Sequence, residues 1–113
     1  MGLQIFGTRK CQDTRKAERF FRERRVSFQR IDLEEKGISP GELRSVLAAV
    51  GADALIDRES RAFKDRGLAW QDFDPEREAL SDPLILKTPI VRDGRRATTG
   101  YAPEVWTGWL KEG

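Results

Sequence analysis

The chain contains a single cysteine, Cys11, in the stretch "GTRKCQDTRKA", where a short apolar strand over Leu3–Phe6 gives way to a helix. A thiol reacts as its thiolate, and the unpaired backbone amides and macrodipole of a helix N-terminus favour that form. Lys10 and Arg15 add positive charge, and the Thr14 hydroxyl lies one turn along the helix, where it can donate to the sulfur. We therefore predict a nucleophilic Cys11, assisted by Thr14 and Arg15.

Two observations bear on the chemistry left open to this cysteine. Asp13 works against a thiolate, and a lone cysteine is also found as an inert buried residue, so a structural Cys11 is the alternative. The chain has no histidine and no second cysteine, which leaves it without the commonest metal ligand and without a zinc site. We expect no metal and no bound cofactor.

A catalytic cycle with one cysteine must borrow its second thiol. Attack of Cys11 on an oxidised substrate leaves a mixed disulfide or a sulfenic acid, which glutathione or a glutaredoxin would have to clear. We expect glutathione as the co-substrate. The backbone amides and Arg15 also predict a cradle around the sulfur that suits a small oxyanion or a carboxylate of glutathione.

Composition limits the possible partners. The 21 Lys and Arg are interspersed with 19 Asp and Glu, for a net charge of +2, which argues against direct nucleic-acid binding. No apolar run approaches the roughly 18 residues of a membrane span, and no signal-peptide pattern opens the chain. At 113 residues, the sequence predicts one cytoplasmic domain, residues 1–113.

The first half of the chain predicts a strand, a helix and a strand, followed by more helix. Apolar residues recur at helical spacing in an amphipathic helix from Thr14 to Arg25, and "VSFQRIDL" alternates as a second strand. In "GISPGELRSVLAAVG", Ser39, Pro40 and Glu42 form a capping box before a helix that ends at Gly51. Residues 52–70 continue in helical or turn-like form, and "DPEREALSDP" predicts a short helix between prolines.

The last third returns to strands. We predict a strand over Leu84–Leu86 that resumes at Ile90 and Val91, an Asp93-Gly94 hairpin turn, and a return strand over Arg95–Thr99. A final helix places four apolar residues on one side, namely Val105, Trp106, Trp109 and Leu110. This order predicts an α/β, thioredoxin-like fold, a mixed four-stranded sheet with helices on both faces and a helical insertion in the middle. Pro89 then starts an edge strand or forms a cis-proline beside the thiol.

Four segments together resemble the arsenate reductase (ArsC/Spx) family of thioredoxin-like proteins: "CQDTRKA", "ISPGELRSVL", "LILKTPIVRDG" and "TTGYAPEVW". The similarity covers nearly the whole chain and is nearest to the small members with one cysteine, rather than to the regulators with a redox CxxC. The resemblance implies a glutathione-dependent thiol oxidoreductase in which Cys11 is the nucleophile. Arg15 matches the arginine of the arsenate-reducing members.

The sequence also departs from the family pattern. Thr88 stands where an arginine is expected before the proline, Lys87 points to the opposite face of an extended segment, and Gly7 replaces a histidine. Arg58 and Arg61 are candidates for a further expected arginine, although both also suit a solvated helix face. We therefore expect weak or absent arsenate reduction, with a small oxyanion or an oxidised thiol as the substrate. The predicted substrate-binding residues are Lys10, Arg58, Thr88 and Pro89.

The alternative function is a non-enzymatic one. Some relatives of this fold bind RNA polymerase and change transcription, and the missing CxxC weakens only the redox-switched version of that activity. An exposed apolar patch around Trp70 and Phe73 would favour such an interaction module, whereas packed aromatic residues would not.

Overall fold

The centre of the molecule is a four-stranded mixed sheet. The computed structural model describes residues 2–112, and its strands are β1 (Leu3–Gly7), β2 (Gln29–Asp32), β3 (Ile90–Asp93) and β4 (Arg96–Thr99). Their order across the sheet is β2-β1-β3-β4. β1 runs parallel to β2 and antiparallel to β3, and β3 and β4 form an antiparallel hairpin.

Six α-helices surround this sheet within the described residues. They are α1 (Gln12–Glu23), α2 (Pro40–Val50), α3 (Ala52–Leu55), α4 (Arg61–Asp65), α5 (Pro75–Ser81) and α6 (Pro103–Glu112), and two 3-10 turns cover Leu68–Trp70 and Pro83–Ile85. Four of the helices follow one another between β2 and β3. The predicted helical insertion is confirmed.

Two apolar cores lie on opposite faces of the sheet because neighbouring strand residues point in opposite directions. Ile5 and Val91 pack against α1 and α6, with Phe21 and Trp106 in the same cluster. Phe6 instead belongs to a larger cluster with the helical insertion. Helices therefore cover both faces, and the predicted thioredoxin-like α/β fold is confirmed.

The capping box that begins α2 forms as the sequence predicts. The backbone N–H of Glu42 donates to Ser39 Oγ at 3.2 Å, and the backbone N–H of Ser39 donates to Glu42 Oε1 at 3.1 Å. Two of the otherwise unpaired amides of the helix start are thereby satisfied. α2 ends before Gly51, as predicted, and the φ of Gly51 is +83°.

The predicted strand over Leu84–Leu86 is wrong. Asp82 accepts a hydrogen bond from the backbone N–H of Leu84, and Pro83 follows as the first residue of a 3-10 turn, Pro83–Ile85. An acidic cap before a proline favours a helical start over an extended run. Only Leu86 has strand pairing, in an isolated antiparallel bridge with Ile56.

Smaller differences concern the C-terminal hairpin and helix. The hairpin turn consists of Gly94 and Arg95, one residue later than predicted, and Gly94 has a φ of +61° that glycine adopts without strain. In α6, Trp106 and Trp109 are buried as expected, but Val105 is 44% exposed. Within residues 2–112, no helix combines the length and the apolar character that crossing a membrane requires.

Candidate active site

Cys11 is the N-cap residue of α1. Its backbone is extended, with φ −78° and ψ 115°, and its side chain makes no capping hydrogen bond. The thiol is half-buried. The sulfur therefore stands at the positive end of a 12-residue helix without being committed to a cap.

The partner of the sulfur is Thr88, from the segment that precedes β3. Thr88 Oγ1 donates a hydrogen bond to Cys11 Sγ at 3.0 Å, and the Cys11 thiol donates to the carbonyl oxygen of Thr88 at 3.7 Å. A hydroxyl that donates to sulfur favours the thiolate, which can only accept. The residue that stands in place of an expected arginine thus contacts the nucleophile directly.

Main-chain hydrogen bonds on both sides hold Thr88 in place. The backbone N–H of Lys87 donates to the carbonyl oxygen of Leu55 at 2.9 Å, and the N–H of Gly100 donates to that of Pro89 at 2.9 Å. The Thr88–Pro89 peptide bond is cis. The cis-proline reading of Pro89 is confirmed, and the helical insertion and the end of β4 together position the residue that contacts the sulfur.

An open cleft of about 590 Å³ gives access to the thiol. The loop after β1, the helical insertion and the segment before β3 all contribute to its walls. Its lining contains two cations, two carboxylates, three hydroxyl side chains and two leucines beside Cys11, namely Lys10, Arg61, Glu34, Asp57, Thr8, Ser60, Thr88, Leu84 and Leu86. This mixture suits an organic molecule with both apolar and polar parts better than a dianion, for which the two carboxylates are unfavourable.

Thr14 is buried between α1 and β1. Its side chain is 2% exposed, and its hydroxyl has no hydrogen-bond partner in the described part of the chain. A Cβ placed on Gly7 would come within 2.4 Å of the Thr14 side chain, so this close helix–strand contact leaves no room for the histidine expected at residue 7. The predicted hydrogen bond from Thr14 to the thiol is not formed between these described residues, and Thr88 supplies one instead.

The two predicted cations beside Cys11 differ in their placement. Lys10 lines the cleft, as a substrate-binding role requires. Arg15 is exposed on α1, and within residues 2–112 its side chain has no ion pair or hydrogen bond. Its proposed role at the sulfur stays a prediction.

The remaining basic candidates are dispersed. Arg58 lies over the ring of Phe63 at 5.6 Å and is not among the cleft-lining residues. Arg61 does line the cleft, but it is strongly exposed and lies 3.5 Å from Asp65. Lys87 is exposed and is not in the lining, which agrees with its predicted orientation.

Sequence reasoning missed several residues of the cleft. Thr8 could have been predicted from the sequence, since it directly follows β1 and loops at the carboxyl ends of strands commonly hold ligands. The sequence does not predict Glu34, Asp57 and Ser60, because their approach to Cys11 depends on how the helical insertion folds back over the sheet. The sequence predicts Thr88 as a substrate-binding residue in place of an arginine, but it does not predict the hydrogen bond from Thr88 to Cys11.

Comparison with known proteins agrees with this architecture. A model of the ArsC family matches residues 6–108, which is most of the chain and includes both Cys11 and Pro89. The chain belongs to the ArsC family. The resemblance of its four sequence segments to that family is thereby confirmed.

The similar proteins include a transcriptional regulator and an arsenate reductase. The global transcriptional regulator Spx 2 of Oceanobacillus iheyensis is 27% identical over 106 residues, covering 89% of this chain and 78% of the regulator. The arsenate reductase from Vibrio cholerae has a similar structure, with a TM-score of 0.81 at 20% identity, covering 96% of this chain and 97% of the enzyme. A protein named YFFB superposes with a TM-score of 0.84 at 24% identity, over 94% and 96% of the two chains. These structural similarities establish the shared fold.

Proposed function

We propose that this ArsC-family protein is a monothiol oxidoreductase that uses Cys11 to exchange with oxidised thiols and glutathione to complete the cycle. The observation that carries the proposal is the 3.0 Å hydrogen bond from Thr88 Oγ1 to Cys11 Sγ at the start of α1. A helix N-terminus and a hydroxyl donor both favour the reactive thiolate. The cleft of about 590 Å³ leaves space for the substrate beside the sulfur.

The proposed cycle has two exchange steps. The Cys11 thiolate attacks one sulfur of a disulfide; the sulfur–sulfur bond breaks, and the leaving thiolate takes a proton from solvent. Cys11 is then held in a mixed disulfide. A glutathione thiolate attacks the other sulfur of that bond, which releases Cys11 as a thiolate and leaves the substrate group joined to glutathione. The two electrons come from glutathione thiols, directly or through a glutaredoxin.

Steady-state reduction of hydroxyethyl disulfide, with glutathione and glutathione reductase, tests this cycle. We expect turnover by the natural protein and none above background for Cys11→Ser. The Lys87→Ala variant is the matched control, since Lys87 neighbours Thr88 but does not line the cleft. Equal rates for the natural protein and Cys11→Ser would refute the proposal.

Arsenate is a poor substrate under this proposal. Binding a polyanion calls for several arginines whose bidentate contacts fix its geometry. The cleft offers Lys10 and the strongly exposed Arg61, set against Glu34 and Asp57. We expect arsenate reduction well below disulfide reduction.

The variant Thr88→Arg tests the arsenate expectation. It should raise arsenate reduction, and it should lower disulfide exchange because the hydroxyl donor to Cys11 is lost. Thr88→Lys is the control, since a lysine adds the same charge without a bidentate contact and should raise arsenate reduction less. Rapid arsenate turnover by the natural protein would show that the present charges suffice.

The second candidate function is that of an interaction module, supported by one observation. Trp70 is 91% exposed in the helical insertion, although Phe73 packs edge-on against Phe63. The chain is similar to a global transcriptional regulator, and RNA polymerase is the partner that the resemblance to the ArsC/Spx family implies for this function. A pull-down with purified polymerase should retain the protein and lose it in Trp70→Ala if this function holds, and a negative result favours the enzyme.

A further inference from the structure

Positive charge is concentrated on and around α1. Eight of the seventeen residues from Arg9 to Arg25 are Lys or Arg and three are acidic, whereas the rest of the chain has 13 basic and 16 acidic residues. The small net charge of the chain conceals this asymmetry. A partner that approaches α1 therefore meets a positive field.

Most of these cations are unpaired. Within residues 2–112, seven of them lie within ion-pair distance of no carboxylate, namely Lys10, Arg15, Lys16, Arg19, Arg22, Arg24 and Arg25. Elsewhere in the described chain, many arginines are paired with an acid. Arg30 lies 2.8 Å from Glu18, for example, and Arg96 lies 2.7 Å from Asp93.

The stability of α1 accounts for the cations at its C-terminal end but not for those nearer its start. Arg15 and Arg19 are four residues apart on the same helix face, and like charges at that spacing are destabilising. Arg15 also lies close to the N-terminus of α1, where the macrodipole disfavours positive charge. A surface that costs helix stability is consistent with selection for binding.

A groove between α1 and α6 lies beside these charges. Its volume is about 720 Å³, and its apolar lining includes Phe20, Pro103 and Tyr101, which is 45% exposed. Lys16, Arg19 and Arg24 line the same groove. Lys16 Nζ lies 5.7 Å from the Tyr101 ring, and Arg24 stacks on Phe20 at 3.7 Å.

We propose that this α1–α6 groove binds an acidic amphipathic helix of a partner protein. The accessible apolar surface of Tyr101 and Pro103, bordered by cations, matches a helix whose apolar residues face the groove and whose carboxylates flank them. Glu23 and Glu104 also line the groove, so the carboxylates of the partner helix would lie against Lys16, Arg19 and Arg24 and not along the whole groove. The binding requires no reaction at Cys11, so it is independent of the proposed enzyme activity.

Fluorescence anisotropy tests the proposal with a defined probe. The probe is a labelled synthetic peptide of roughly 18 residues, with Leu at helical spacing and Glu at the remaining positions. We expect saturable binding that weakens about tenfold between about 0.05 M and about 0.3 M salt. In the double variant Lys16→Glu/Arg19→Glu, affinity should fall at least about tenfold.

Controls keep the result interpretable. Both substituted residues are exposed and make no ion pair within the described residues, so the double variant should keep the fold and a cooperative melt close to that of the natural protein. Lys36→Glu/Arg77→Glu makes the same charge change away from the groove and should bind the peptide more strongly than the groove variant does.

Three outcomes would overturn the proposal. They are no saturable binding of the acidic peptide, equal loss of affinity in both double variants, or tighter binding of a duplex DNA of similar length. The last result would identify the surface as a nucleic-acid site.

Discussion

The side chain that contacts the sulfur of Cys11 is the hydroxyl of Thr88 and not the guanidinium of Arg15. Thr88 Oγ1 donates to the sulfur at 3.0 Å, whereas Arg15 on the same helix makes no side-chain contact within the described residues. A hydrogen bond to a charged group contributes about 1.5–3 kcal/mol. We therefore expect Thr88 to influence the reactivity of Cys11 more than Arg15 does.

The first prediction compares variants of Thr88. Thr88→Val keeps the shape of the side chain but removes the donor, so the rate of alkylation by iodoacetamide at neutral pH should fall about threefold to tenfold. Thr88→Ser keeps the donor and should stay near the natural rate. If Val and Ser react equally, the hydrogen bond has no part in activating the thiol.

At this scale the sequence identified the central residues but not their contacts. The nucleophile and its place at a strand-to-helix junction follow from the residue pattern around Cys11. The partner of the sulfur does not, because Thr14 and Thr88 both carry hydroxyls and only the tertiary structure decides between them. The Thr14 side chain instead packs closely against Gly7, and residue spacing does not reveal this contact.

Among the helices, α2 begins with a capping box whose Glu42 makes the stability of the protein depend on pH. Partial burial disfavours the charge of Glu42, but hydrogen bonds from the backbone and side chain of Ser39 and from Gln4, with the charge of Arg92, outweigh it and lower the pKa of Glu42. A carboxylate whose pKa is lowered by folding stabilises the native state above its unfolded pKa of about 4.5. That contribution is lost as the pH falls through the folded value.

The second prediction uses Glu42→Gln. The natural protein should be more stable than the variant at pH 7, and the difference in the free energy of unfolding should shrink as the pH falls below about 4.5. Urea unfolding at both pH values measures it. A difference that does not change with pH would mean that the ionised form of Glu42 makes no special contribution.

The end of α1 supplies the third prediction. Arg25 has a φ of +58°, a left-handed conformation that glycine adopts at lower cost, and the backbone N–H of Val26 donates to the carbonyl oxygen of Phe21 there. Arg25→Gly should therefore stabilise the protein by about 1 kcal/mol, raising the melting temperature by about 4 °C.

Arg25→Ala is the control for that variant. It removes the same charge but keeps a Cβ, so it should not gain stability in the left-handed conformation. Equal melting temperatures for the Gly and Ala variants would place the effect in the lost charge instead.

Element boundaries show where the sequence sufficed and where it did not. The α2 cap is a purely local motif, so Ser39 and Glu42 predict it correctly. The segment at Leu84 has strand-forming residues, but the Asp82–Pro83 pair starts a 3-10 turn, and only Leu86 finds a strand partner. The apolar run at Leu84 therefore predicts a strand wrongly, because the capping signal of the preceding Asp82–Pro83 pair favours the 3-10 turn.

In the molecule as a whole, the two apolar cores support different parts of the active site. The core of α1 and α6 supports the helix whose N-terminus holds Cys11, and the core under the helical insertion supports the other wall of the cleft. The order of strands and helices predicts this arrangement. How the insertion brings Asp57 and Ser60 to the cleft was not predictable, because those contacts join residues distant in the sequence.

The central claim is that the folded protein activates Cys11 for exchange with glutathione. The most direct test follows the mass of the intact protein during incubation with glutathione disulfide at neutral pH, with the native chain compared with the same chain unfolded in urea. We predict one glutathione adduct per chain, released by dithiothreitol, that forms about tenfold faster in the native state. An adduct that forms no faster in the native protein than in the unfolded chain would contradict the account.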